Sequence, residues 1–165
     1  MRSSAPPRAD TKIKSAAALI PLLRKAQRRG RRVVFTNGCF DLLHAGHVTL
    51  LERSRRLGNL LVVGINSDHS VRAIKGPSRP IVAQRQRALV LAGLASVDFV
   101  TVFDAPTPQR LIQQLRPDVL VKGADWGAGQ IVGREMVERF GGRVVRVPLV
   151  KGLSTSQLVE RIRSL

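Results

Sequence analysis

The fold is indicated most directly by residues 36–47, which read Thr-Asn-Gly-Cys-Phe-Asp-Leu-Leu-His-Ala-Gly-His. The preceding run, residues 31–35, ends in apolar and β-branched residues, as a central parallel strand does. An apolar pattern of helical spacing follows and predicts a helix from about His47: Val48, Leu50, Leu51 and Leu57. His44 and His47 would then meet at a helix N-terminus, where free backbone N–H groups and the helix dipole attract anions. The stretch therefore predicts a strand, a tight turn and a helix that together hold phosphate.

Strand-like runs alternate with helical patterns along the rest of the chain. Strands are predicted at residues 33–36, 60–65, 99–103, 119–122 and 144–147. Helices are predicted from Ser15, over residues 47–57, 84–95, 108–115 and 133–140, and after Ser154 and Thr155. This alternation predicts an α/β fold, a Rossmann-like five-stranded parallel sheet with right-handed crossovers and helices on both faces.

The length and composition indicate one domain. The 165 residues, 44% of them hydrophobic, provide enough apolar side chains for one core. We expect residues 1–12 to be a disordered lead and residues 13–165 to form a single domain that begins with a helix. No run of about 18 apolar residues is present, so we expect no membrane span. A single cysteine excludes an internal disulfide and fits a reducing cytoplasm, the expected location.

The net charge of +17 makes nucleic acid a partner to consider. The basic residues are spread over the chain, however, and clusters such as residues 28–32 fall at the ends of predicted elements. Aromatic residues that could stack on bases amount to only 4%, with no tyrosine. We therefore expect an arginine-rich solvated surface whose field attracts polyanionic substrates, rather than a nucleic-acid-binding surface.

Two motifs at the predicted phosphate site, Gly38-Cys39-Phe40-Asp41 and His44-Ala45-Gly46-His47, resemble the nucleotidyltransferase superfamily that carries a His-x-Gly-His signature. Further segments resemble its cytidylyltransferase-like branch, and most closely the adenylyltransferase domains of ADP-heptose synthases. These are residues 66–68, 75–80 with 84–85, 120–126 and 152–156. The resemblance spans roughly residues 30–163 and implies the nucleotidyltransferase fold.

The resemblance implies that the chain transfers AMP from ATP to D-glycero-β-D-manno-heptose 1-phosphate, giving ADP-heptose and pyrophosphate for lipopolysaccharide core synthesis. One alternative is a cytidylyltransferase acting on glycerol 3-phosphate or another small alcohol phosphate. A second alternative is a non-catalytic nucleotide- or nucleic-acid-binding protein, against which the intact His44, Gly46 and His47 argue. Because the chain is too short to include a sugar kinase, we expect a separate heptose kinase upstream. The resemblance also implies a homo-oligomer, most simply a dimer.

Nucleotidyl transfer requires positioned positive and hydrogen-bonding groups, because the acceptor phosphate is already ionised and needs no protein nucleophile. His44 and His47 are the predicted donors to the phosphates, and local hydrogen bonds at a helix start are the alternative role. We expect Cys39 to pack under the loop, and the alternative is that Cys39 acts as a nucleophile. Mg²⁺ is the expected cofactor, held by ATP phosphates and water, so no protein metal cage is predicted.

The predicted nucleotide-binding residues lie after three of the strands: Asn37, Gly38, Cys39, Phe40, Gly46, Lys122, Gly123, Asp125, Ser154 and Thr155. Lys122 ends a buried strand, where a cation is costly unless it is paired or faces a ligand. Ser154 and Thr155 either meet the triphosphate or simply cap the last helix. Trp126 either stacks on the base or provides hydrophobic cover, and the role of Lys151 stays open.

The predicted acceptor-binding residues are Asp68, Lys75, Arg79 and Arg85. Lys75, in a loop with Gly76 and Pro77, is expected to close over the acceptor phosphate and is the third predicted catalytic residue. Arg79 joins it, and solvated loop charges are the alternative for both. Arg85 either binds phosphate or pairs locally. Asp41 either braces the loop or contacts a ligand. These segments converge on one edge because ligands bind beyond the carboxyl ends of parallel strands.

Overall fold

The computed structural model describes residues 8–124, 127, 131–148, 150 and 152–165. The strands are β1 (Val33–Gly38), β2 (Leu60–Asn66), β3 (Phe99–Phe103), β4 (Val119–Gly123) and β5 (Arg143–Val147). The α-helices are α1 (Ala16–Arg28), α2 (Ala45–Arg55), α3 (Asp68–Lys75), α4 (Gln84–Ala92), α5 (Gln109–Leu115), α6 (Arg134–Arg139) and α7 (Thr155–Arg163). Among the described residues, no helix is both long and apolar enough to cross a bilayer.

The five strands form one parallel sheet in the order β3-β2-β1-β4-β5. β1 lies at the centre, with Val33 paired to Leu60 of β2 and Val34 paired to Val119 of β4. The chain runs from β1 out to β3 and then returns to the other side of β1. The direction therefore reverses between β1 and β4, which is where such sheets bind ligands.

Helices cover both faces of the sheet because side chains along each strand alternate in direction. Val33 and Phe35 pack with Leu19 and Leu23 of α1 and with buried residues of α5 and α6. Val34, between them, packs on the opposite face with buried residues of α2 and α4. The prediction of a five-stranded parallel sheet with helices on both faces is confirmed.

Order begins earlier than predicted at the N-terminus. Residues Ala9–Lys12 form a 3₁₀ helix, and Ile13 pairs with Val100 at the edge of the sheet. The ammonium of Lys12 donates hydrogen bonds to the carbonyls of Leu94 (3.2 Å) and Val97 (2.8 Å). The prediction of disorder is therefore wrong for residues 8–12, because these contacts attach the segment to the turn before β3. Residues 1–7 of the predicted lead lie outside the described residues.

Helix α3 is absent from the sequence prediction, which places Lys75 in a loop. Lys75 is instead the last residue of α3, and the loop begins at Gly76, whose φ is 96°. Ser67 caps the helix by accepting a hydrogen bond from the backbone N–H of Ser70. The helix has only eight residues, with Val71 as its buried apolar residue, and is therefore shorter than the roughly 11–18 residues over which an apolar pattern of helical spacing is recognised.

Candidate active site

A cleft of about 360 Å³ lies at the carboxyl ends of β1 and β4. It brings together predicted site residues from four parts of the chain: Asn37, Gly38, Cys39, Phe40, His47, Lys75, Arg79, Lys122 and Thr155. The predicted convergence of these segments on one sheet edge is therefore observed.

The two histidines form a stacked pair at the start of α2. His44 is the N-cap residue and His47 lies in the first turn, with ring centroids 3.8 Å apart and planes inclined by 24°. The ring of Phe40 lies against His47 at a centroid distance of 5.1 Å. A Cβ on Gly46 would lie 3.0 Å from the His44 ring, so only glycine at this position leaves the stacked pair undisturbed.

Both imidazoles are uncharged near neutral pH. Burial lowers the pKa of His44, and burial together with the neighbouring His44 lowers the pKa of His47 to about 4. Within the described part of the chain, the buried Nδ1 atoms of both rings have no hydrogen-bond partner, which disfavours the alternative of local hydrogen bonds through Nδ1. An arriving phosphate would supply an acceptor and favour proton uptake by the pair.

Asp41 braces the loop that precedes α4. Its buried carboxylate accepts hydrogen bonds from the backbone N–H groups of Ile81 (2.8 Å) and Val82 (3.0 Å) and from the Arg79 guanidinium (2.8 Å). Burial opposes ionisation, but these donors outweigh it and lower the pKa of the Asp41 carboxyl. The bracing role considered for Asp41 is therefore observed, and Arg79 is held at the cleft wall by this ion pair.

Lys122 and Thr155 approach the cleft from the side opposite α3. Lys122 is 8% exposed and its ammonium donates to the Asn37 side-chain oxygen, which joins the ends of β4 and β1. The Thr155 hydroxyl donates to the carbonyl of Leu42 at 3.4 Å and ties α7 to the loop after β1. Ser154 caps α7 by accepting from the Gln157 N–H at 3.2 Å, as the capping alternative predicted.

Several predicted residues do not line the cleft: His44, Gly46, Asp68, Arg85, Gly123 and Ser154. His44 stacks on His47, and Gly46 lies next to the His44 ring. Asp68 joins α3 to α4 by accepting hydrogen bonds from the Gln84 N–H and the Arg87 guanidinium. Arg85 is exposed in the first turn of α4. The acceptor-binding roles of Asp68 and Arg85 stay predictions. Asp125, with Trp126 and Lys151, lies outside the described residues.

Sequence reasoning missed further cleft residues: Ile74, Pro106, Thr107, Pro108 and Val132. Asn66 and Ser156, which belong to segments of the resemblance but had no assigned role, also line the cleft. It also missed Arg87, which is 1% exposed in α4. A signal for Arg87 was present, because it shares the buried helix face with Ala88, Leu91 and Ala92. A cation on an apolar helix face needs partners inside the protein.

Cys39 lines the cleft without the properties of a nucleophile. Burial raises the pKa of its thiol, and the nearby Lys75 and Arg87 cations offset this only in part. A thiol that stays protonated near neutral pH is weakly reactive. The prediction that Cys39 packs under the loop is thus favoured over covalent catalysis.

Positively charged side chains predominate among the described residues that line the cleft. Among the described residues, no group of three or more His, Cys, Asp or Glu side chains could hold a metal ion. Asp41 is already engaged by Arg79 and two backbone N–H groups. Lys75, Arg79 and Lys122 supply positive charge for phosphates. This donor set fits Mg²⁺ coordinated largely by phosphate oxygens and water.

These features define an α/β protein with a histidine pair at the start of α2 and a cation-lined cleft at the carboxyl edge of its sheet. The chain belongs to the cytidylyltransferase-like family, whose sequence model matches residues 35–161. This match confirms the predicted superfamily and branch.

The curated relatives agree with that membership. The bifunctional protein HldE of Syntrophotalea carbinolica is 54% identical over 153 residues, which cover 93% of this chain and 31% of the relative. The HldE of Magnetococcus marinus is 59% identical over 134 residues, 81% of this chain and 28% of the relative. The chain thus spans about a third of the length of these curated relatives.

A lipopolysaccharide core biosynthesis protein from Thermoplasma volcanium superposes with a TM-score of 0.61 at 27% identity. The match covers 74% of this chain and 98% of that one. A pantoate-β-alanine ligase from Francisella tularensis, at 14% identity and a TM-score of 0.56, covers 93% of this chain and 78% of its own. This last likeness concerns the fold alone.

Proposed function

We propose that this chain transfers AMP from ATP to D-glycero-β-D-manno-heptose 1-phosphate, releasing ADP-heptose and pyrophosphate. The observation that carries the proposal is the stacked, uncharged His44–His47 pair beside a cleft lined by Lys75 and Lys122. The resemblance to ADP-heptose synthases, the HldE relatives and the lipopolysaccharide core protein support a sugar phosphate as the acceptor. The product would serve lipopolysaccharide core synthesis in a Gram-negative cytoplasm.

In the proposed reaction, an oxygen of the acceptor phosphate attacks the α-phosphorus of ATP. The bond from that phosphorus to the bridging oxygen of the β-phosphate breaks, and pyrophosphate leaves. No proton has to be removed from the acceptor near neutral pH, so the protein acts through position and charge. His47, supported by His44, donates to the phosphate oxygens on which charge grows.

In this proposal, each side of the cleft binds a different substrate. Lys122 and Thr155, near the start of α7, face the triphosphate, since a helix N-terminus offers free N–H groups. Lys75 and Arg79, on the α3 side, face the acceptor phosphate. Mg²⁺ bound to the triphosphate would neutralise charge on the departing pyrophosphate.

The proposal extends to the partners. The acceptor must be made by a kinase that phosphorylates the sugar at C1, and we infer that this kinase acts upstream as a separate activity. The curated relatives are named bifunctional, which is compatible with a second activity linked to this one. A homodimer is the proposed assembly.

Pyrophosphate release with ATP or CTP, each tested against heptose 1-phosphate and glycerol 3-phosphate, tests the proposal. We expect kcat/KM at least about tenfold higher for ATP than for CTP, equivalent to roughly 1.4 kcal/mol, because an unmatched base edge leaves buried polar groups unpaired. His47→Ala should lower turnover by roughly 10²–10³, as loss of a transition-state donor does.

Equal or better turnover with CTP and glycerol 3-phosphate would replace the heptose assignment with the glycerol-phosphate one. Absence of transfer with every pair, together with a gel shift of nucleic acid at physiological salt, would favour the non-catalytic alternative.

A further inference from the structure

Arg87 is a buried cation with no role in the proposed reaction. Its side chain is 0% exposed. The guanidinium donates to the carbonyls of Val82 (2.8 Å), Cys39 (2.6 Å) and Asn66 (2.9 Å) and to the Asp68 carboxylate (2.7 Å). Such a group is tolerated in a core only when its donors are satisfied. Arg87 therefore joins the carboxyl ends of β1 and β2 to the starts of α3 and α4.

The bond to Cys39 acts on an unusual stretch of backbone. The next residue, Phe40, has a φ of 48°, in the left-handed region that residues other than glycine rarely adopt. A donor on the Cys39 carbonyl fixes the peptide plane between these two residues. Phe40 is thereby held with its ring over Gly38, where an added Cβ would lie 3.1 Å from the ring.

Phe40 connects this stretch of backbone to the histidine pair through a ring contact with His47. Its ring is buried and lies 5.1 Å from the His47 ring, centroid to centroid, on a cleft wall that both residues share. Arg87 itself does not line the cleft, so it has no direct contact with a substrate there.

We propose that Arg87 is a positioning residue that sets the orientation of the His47 imidazole through the Cys39 carbonyl and the Phe40 ring. The catalytic consequence rests on the proposed function, whereas the structural consequence does not. Loss of the Arg87 bonds would release the left-handed turn at Phe40, uncover His47 to water and loosen its placement against the phosphates.

The test combines kinetics with NMR titration of the histidines, of which the chain has three. Arg87→Lys keeps the charge but cannot make the same set of bonds. We expect it to lower kcat about tenfold or more with little change in KM for ATP, and to raise the pKa of His47 from about 4 toward 6.5. Phe40→Leu, which leaves Arg87 intact, should produce both changes.

The matched control is Arg55→Lys, at the far end of α2. Arg55 pairs with Asp98 at 2.9 Å and also bonds to the carbonyl of Gly58, so its replacement disturbs an ion pair away from the cleft. It should leave kcat and the His47 titration unchanged. His44 stacks on His47, and the charged groups that line the cleft with His47 among the described residues are Asp41, Lys75, Arg79 and Lys122. None of the three substitutions replaces any of these residues.

A folded Arg87→Lys protein with wild-type kcat and a His47 pKa near 4 would overturn the proposal. If Arg87→Lys does not fold, Phe40→Leu decides, and an unchanged His47 titration there counts against it. The titration needs no substrate. A wild-type protein inactive on heptose 1-phosphate would therefore contradict the proposed function and leave the positioning role to the NMR result.

Discussion

Replacing Gly46 by alanine should damage catalysis while leaving the fold intact. Gly46 is the second residue of α2, and an added Cβ would lie 3.0 Å from Cε1 and Nδ1 of His44 and 3.5 Å from Cβ of Leu153. Carbon atoms pack best at about 3.5–4.0 Å. The His44 ring must therefore shift by a few tenths of an ångström, away from its stacked position 3.8 Å from His47.

The expected magnitudes differ for stability and for rate. Alanine favours a helix over glycine by up to about 1 kcal/mol, while a side chain pushed from its rotamer costs about 0.5–1.5 kcal/mol. The free energy of unfolding should therefore change by less than about 1 kcal/mol. A displaced catalytic group can cost up to about 10² in rate, and we expect kcat to fall at least about tenfold because His44 no longer supports His47.

Urea denaturation and steady-state pyrophosphate release measure the two effects. The matched control is the same substitution in a His44→Ala background, where the added Cβ has no ring to displace. Gly46→Ala should then cause no further loss of kcat, which a double-mutant cycle reports directly. Wild-type kcat in Gly46→Ala, or an equal loss of kcat in both backgrounds, would refute the reasoning.

Four further outcomes are expected. Because the pKa of His47 is about 4 in the folded protein and near 6.5 when unfolded, the unfolded state binds more protons between these values. The stabilising effect of a neutral His47 is complete above pH 6.5 and is lost as the pH falls toward 4, a change of about 2 kcal/mol after allowance for solvent screening. Denaturation of a His47→Gln variant across this range should show a smaller slope. Lys75→Ala should lower kcat and the kcat/KM for the acceptor, with little change in the affinity for ATP measured by calorimetry. A large loss of ATP binding would instead assign Lys75 to the triphosphate. Asp41→Asn should lower the free energy of unfolding by about 1–3 kcal/mol, since it weakens the charge-assisted bond from Arg79, and an unchanged denaturation midpoint would contradict the bracing role. Cys39→Ser should keep most of its activity, whereas a folded but inactive protein would point to covalent chemistry.

The sequence predicts those parts of the site that follow from local patterns and from sheet topology. The apolar runs of the strands and the spacing of His44 and His47 are local, and parallel strands place their carboxyl ends on one edge. The same rules predict that Lys122 lies at the sheet edge that holds Asn37, although the two residues are 85 positions apart in the sequence.

The remaining features depend on tertiary contacts that leave a weak signal in the sequence. Helix α3 has only eight residues, and it is stabilised by its Ser67 cap and by the burial of Val71. The partners of the buried Arg87 lie after β1, at the end of β2 and at the start of α3, none of which is close to it in the sequence. The pairing of Asp41 with Arg79 similarly depends on how the loop before α4 folds back over the turn after β1.

The tie between Thr155 and Leu42 spans 113 residues of chain, and this has a consequence for the order in which the protein folds. Closing so large a loop costs entropy that local contacts do not incur. Helix α7 also has no fully buried residue to offset that cost. We therefore expect the sheet to form first and α7 to dock last, with amide hydrogens of α7 exchanging faster than those of β1 and β4. Binding of a ligand that bridges α7 and the turn after β1 would stabilise the docked helix and slow that exchange.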